Sequence, residues 1–215
     1  MKRILFHLPS SLALPLVALG LLCGSPSAKA ASITVDNFSF EQDFGTDATT
    51  NWVSETLWGR FEFSDPPPPH GAFGAVASAN NQELYQILDT HTIAPGDDFT
   101  IRVDVGNPGG TFKPFFNLTV YSVNGPNGFV FLGGFALPTA PAAGTWETLV
   151  ANVQIAPDNW GIGGKLQLSL FSGAGAGGVA VDNVRVDLIP EPATAACFML
   201  GLGIFGILRS RSRRL

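Results

Sequence analysis

Between Ala31 and Ile189, apolar and polar residues alternate in short bursts separated by glycine, proline and asparagine. Phe99, Ile101, Val103 and Val105 fall on one side of an extended chain, and Thr100, Arg102 and Asp104 on the other. Leu166, Leu168 and Leu170 repeat the pattern within 165–171. Further strands are predicted over 32–41, part of 52–63, 72–78, 83–88, 115–123, 129–135, 146–155 and 179–188. The run Asn124-Gly125-Pro126-Asn127-Gly128 reads as a hairpin loop, and Pro66 to Pro69 as a rigid surface connector. No segment of this region keeps an apolar period of 3.6 residues, so the pattern predicts an all-β, antiparallel sandwich. The alternation slips at Val35-Asp36-Asn37-Phe38 and again at Val181-Asp182-Asn183-Val184. Two slips around the same polar pair predict neighbouring, bulged first and last strands.

The two ends of the chain follow other patterns. Residues 1–30 carry Lys2 and Arg3, an apolar stretch from Leu12 to Cys23 and a closing Ala28-Lys29-Ala30, which is the layout of a secretory signal peptide. Residues 190–215 begin with Pro190-Glu191-Pro192, continue through an apolar run over 193–208 and end with Arg209, Arg211, Arg213 and Arg214. As a helix the run spans about 24 Å, short of a ~30 Å hydrocarbon core but able to cross a thinned bilayer. The arginines favour a cytoplasmic terminus. This tail resembles the PEP-CTERM sorting signal of exopolysaccharide-producing Gram-negative bacteria. The resemblance implies recognition by an exosortase, a membrane-embedded protease, with transient residence in the inner membrane. It also implies delivery to the cell envelope, outer surface or extracellular matrix.

Composition narrows the partners. The region 31–189 holds five basic residues (Arg60, Arg102, Lys113, Lys165, Arg185) against sixteen acids, about −11 in all, which argues against nucleic acid. Both cysteines, Cys23 and Cys197, lie in the terminal segments, so no disulfide framework holds the domain.

Three segments together resemble the galactose-binding-like jelly roll of many carbohydrate-binding modules. They are Asn37-Phe38-Ser39-Phe40-Glu41, Gly144-Thr145-Trp146-Glu147-Thr148-Leu149 and Val181-Asp182-Asn183-Val184-Arg185-Val186. The resemblance implies adjacent first and last strands and a structural calcium ion at Glu41 and Asp182, completed by backbone carbonyls. Asn183 stands where many members carry a second acid. Without a metal, Asp182 and Asn183 serve only the backbone groups of a bulge. Stacking on sugar rings calls for exposed aromatics; the candidates are Trp52, Trp58, Tyr85, Tyr121 and Trp160, and Trp160, in a polar loop, leads them. The other reading of each of these rings is packing in the core.

No Gly-x-Ser-x-Gly elbow is present, and His70 and His91 are too few for a zinc site. The sequence reading is therefore an exported, non-catalytic β-sandwich that associates with extracellular polysaccharide. A structural surface protein without a defined ligand, or a glycan-active enzyme, are the other classes.

Overall fold

The computed structural model describes residues 30–54, 58–65, 67–77, 82–107, 116–137, 139–172 and 179–189. The predicted signal peptide, sorting motif, membrane segment over 193–208 and arginine cluster lie outside the described residues. Among the described residues no helix is long and apolar enough to cross a membrane.

The described chain forms β1 (Ala31–Ile33), β2 (Val53–Ser54), β3 (Trp58–Glu62), β4 (Phe73–Ala77), β5 (Gln82–Leu88), β6 (Asp98–Gly106), β7 (Phe116–Gly125), β8 (Gly128–Ala136), β9 (Trp146–Gln154), β10 (Lys165–Ser172) and β11 (Val179–Ile189). The first sheet runs β3-β4-β11-β6-β9, with β1 also paired to β11. The second runs β2-β5-β10-β7-β8. Every named strand pairing is antiparallel. The fold is thus the all-β sandwich that the alternation predicts.

Alternation explains the two layers. Phe99, Ile101, Val103 and Val105 of β6 turn inward with Val181 and Val186 of β11, and all are fully buried. Leu84, Leu118, Leu166, Leu168 and Leu170 meet them from the second sheet. Each such side chain contributes roughly 1.5–3 kcal/mol through burial. Phe40 and Trp52, from the segment between β1 and β2, complete the core with ring centroids 5.5 Å apart.

The first and last strands are neighbours, with Ala31 opposite Leu188 and Ile33 opposite Val186. The two phase slips differ in kind. At the second, β11 shifts register against β6 between Asp182 and Arg185, with Asn183 at φ 51°. At the first, Asn37 (φ 48°) lies in a turn after β1, where its side chain closes a ring with the Gln42 backbone. The Val184 N–H donates to the Phe38 carbonyl at 2.9 Å, so turn and bulge touch. The predicted strand region 52–63 splits in two, β2 joining the second sheet and β3 the first.

Candidate functional site

The outward face of the first sheet is a network of charge. Asp104 of β6 sits opposite Asp182 of β11 and accepts hydrogen bonds from Thr148 and, at 2.7 Å, from the Asn183 side-chain amide. Arg102 pairs with Asp187. Asp182 is fully buried; its Oδ2 accepts the His70 N–H at 2.8 Å, and its Oδ1 has no partner among the described residues. Glu41 Oε1 accepts the N–H groups of Ala72 and Phe73, each at 3.0 Å. The two carboxylates therefore grip one loop, 70–73, from either side. Gly71 (φ 80°) is required there, because a Cβ would collide with the Glu41 carboxylate.

Burial pushes the Asp182 carboxyl up to about 7, the backbone N–H groups of His70 and Asn183 offset part of this, and the charges of Asp104 and Glu41 push the same way as burial. A buried carboxylate oxygen without a partner, beside a second carboxylate, needs a proton or a cation. The residues present thus fit the calcium ion that the sequence suggests. Among the described residues no three His, Cys, Asp or Glu side chains cluster, so most of the six to eight oxygens would be carbonyls or water. Asn183 points to Asp104, where an acid would set two carboxylates side by side.

The aromatic candidates lie in different places; Trp52 is fully buried in the core, which corrects its reading as a ligand-stacking residue. Trp58 is only 6% exposed and belongs to the core cluster, which corrects its assignment as a ligand-stacking residue. At the first position of β3 its side chain turns inward over Ala77, and local periodicity does not reveal the layer it faces. Trp160 is 74% exposed in the loop between β9 and β10, its carbonyl accepting from the Asn127 side chain at 2.8 Å. Tyr85 lies on the outward face of the second sheet, opposite Ser169.

That outward face is the candidate site. Ser169, fully buried, forms its floor, with Gln167 donating to it at 3.0 Å. Tyr85 and Ile87 of β5, Thr119 and Tyr121 of β7 and Phe171 of β10, all half-buried, surround this pair. Tyr121 continues into Phe129 and Phe131 of β8, with centroids at 4.4 Å and 5.9 Å. Glu83 is the one carboxyl-bearing residue in the strands of this sheet. Sequence reasoning singled out Tyr85 and Tyr121 but missed Phe171 and Glu83. Each strand contributes two or three residues, and which strands are neighbours is not written in any local pattern.

Two antiparallel sheets with a chemically distinct outward face define a carbohydrate-binding-module-like β-sandwich. The xylan-binding CBM22-1 domain of Paenibacillus barcinonensis Xyn10C shares the fold at a TM-score of 0.50 and 14% identity, over 77% of this chain and 98% of that one. A second likeness is stronger. The Stig cyclase Fisc of Fischerella sp. TAU, solved with (3Z)-3-(1-methyl-2-pyrrolidinylidene)-3H-indole, matches at a TM-score of 0.62 and 20% identity, covering 75% of this chain and 99% of that one. A Fischerella sp. TAU cyclase in complex with 4-(1H-indol-3-yl)butan-2-one matches at 0.60 and 19% identity, over 73% and 96%. In sequence, residues 31–187 match the HpiC1-like family, HpiC1 cyclase, and the chain belongs to that family. No curated protein matches the chain. The family overturns the expectation of a non-catalytic domain: it is named for a cyclase, an enzyme.

Proposed function

We propose that the domain is a cyclase-type enzyme that binds a flat, largely apolar, ring-bearing substrate on the outward face of the second sheet. The observation that carries this reading is the aromatic and aliphatic face around Ser169, with Glu83 as its carboxyl group. Tyr85, Tyr121 and Phe171 supply ring faces for stacking and for stabilising positive charge as a ring closes. Glu83 is placed to move a proton, and Gln167 with Ser169 fixes orientation by hydrogen bonding. The indole ligands of the Fischerella cyclases set the substrate class to test.

Titration calorimetry with 4-(1H-indol-3-yl)butan-2-one tests the binding half. Binding is expected in the wild type, with loss in Tyr121→Ala and retention in Trp160→Ala. Binding of xylo-oligosaccharide alone would instead favour the glycan reading, which the likeness to a xylan-binding domain supports.

A calcium ion at Glu41 and Asp182 belongs to the same proposal as a structural ion, supported by the unpartnered Asp182 Oδ1. Export and PEP-CTERM sorting rest on the sequence of residues 1–30 and 190–215. Intact-mass analysis of the protein from its host tests them: the mature form should lack both the leader and the segment 193–215.

A further inference from the structure

One end of the sandwich gathers exposed rings, of which Phe129 and Phe131 border the site through Tyr121, and Trp160 lies outside it. Ile189, the last residue of β11, lies opposite Asp98, and Ala31 opposite Leu188. The loop after β9 joins the same end, since Ile155 N–H donates to the Asp97 carbonyl at 2.8 Å. Leu88 and Leu166 pair there, and Lys165 pairs with Val123 beside the β7–β8 turn. So the point where the chain leaves toward residue 190, the Trp160 loop and the turn at 126–127 share one end.

That end is aromatic and exposed. Trp160, Phe129 and Phe131 are 74%, 62% and 61% exposed. No charged residue occurs between Lys113 and Glu147, a stretch that includes the whole β7–β8 hairpin. In sequence, only residues 190–192 separate Ile189 from the apolar run 193–208.

The geometry points to a phospholipid bilayer as the partner of this end, with Trp160 and Phe129 seated at the headgroup level. Tryptophan and other amphipathic rings favour that interface. The charged residues at this end are Asp89, Asp97, Asp98, Asp158 and Lys165, and the Lys165 ammonium is occupied by the Asp89 carbonyl and Thr92. The excess of acid selects zwitterionic over anionic lipid.

The inference rests on the tail entering the membrane, and the test separates the two. Full-length protein is reconstituted in phosphatidylcholine vesicles containing brominated lipid. Trp52 and Trp58 are buried, and Trp146 lies at the opposite end against Gly106, so Trp160 is the reporter. Quenching of the wild type is expected, with most of it lost in Trp160→Phe and all of it reduced when phosphatidylglycerol replaces phosphatidylcholine. Amide exchange over 126–131 should slow in the same vesicles. Equal quenching in both forms, in protein that resists carbonate extraction, overturns the docking surface. Protein washed off by carbonate overturns it through the tail. Protection of 126–131 that appears without lipid and grows with protein concentration assigns this end to a second copy and overturns it as well.

Discussion

The outward faces of the two sheets are built from opposite materials. On the first, Asp98, Arg102, Asp104, Asp182, Arg185 and Asp187 come from its strands, and the chain's own loop 70–73 is held between Glu41 and Asp182. On the second, the strands supply only Glu83 and Lys165 as charges, and aromatic rings surround a buried Ser169. Both sheets share one core, so the core does not decide the difference. A charged face with internal partners spends its polar groups on holding the fold. An apolar face with few internal partners keeps its surface for something else.

The largest effect that would sharpen this contrast comes from pH. The Asp182 carboxyl stands at about 7 in the folded protein against an ordinary value of 3.8. Between those values the native state keeps a proton that the unfolded chain releases. Stability therefore falls as pH rises from about 4 to about 7, by up to about 4 kcal/mol in chelator. Melting curves across that range should show the fall, and either calcium or Asp182→Asn should flatten it. A flat profile for the wild type in chelator would break the first half of the comparison.

Next in size is Glu41→Ala, which leaves two backbone N–H groups of loop 70–73 without their charged acceptor. The loss is about 3 kcal/mol, or roughly 6–12 °C in melting temperature for a domain of this size. Binding of the indole ligand well below the melting point should not change. Tyr121→Ala should do the reverse, weakening that binding roughly tenfold, in line with about 1 kcal/mol per aromatic contact, while the melting temperature holds. Loss of both properties in either variant would mean the two faces are not independent. The smallest expected effect is Asn183→Asp. It sets an acid against Asp104, costs about 1 kcal/mol in chelator and tightens calcium binding, as isothermal titration with calcium would show.

Much of the fold was legible in the sequence because alternation reports directly on burial. The inward rows of β6 and β10, the β7–β8 hairpin and the pairing of β1 with β11 all follow from local pattern or matched ends. Residues 52–63 were harder. Four aromatic residues in that stretch suggest one strand region, yet Trp52 and Trp58 enter the core on either side of a crossing between sheets. The candidate site was the least legible part. Tyr85, Tyr121, Phe171 and Ser169 come from three strands separated by up to 86 positions in the chain, and only the register brings them together. With no nucleophile motif to flag it, such a face reads in sequence as a series of unremarkable strand residues.

The place of β11 in the first sheet has a consequence for how the molecule is assembled. The last of the described strands, β11, lies in the middle of that sheet, between β4 and β6. Until residues 179–189 are available, β3-β4 and β6-β9 are separate ribbons, each with an open edge, and β1 has no partner in the sheet. The second sheet has no such delay, since its last member, β10, precedes β11 in the chain. Growth from the N-terminus therefore finishes the aromatic face before the charged one. A chain stopped short of Val179 would carry its future binding surface on a half-closed sandwich, with two raw edges open to any other strand.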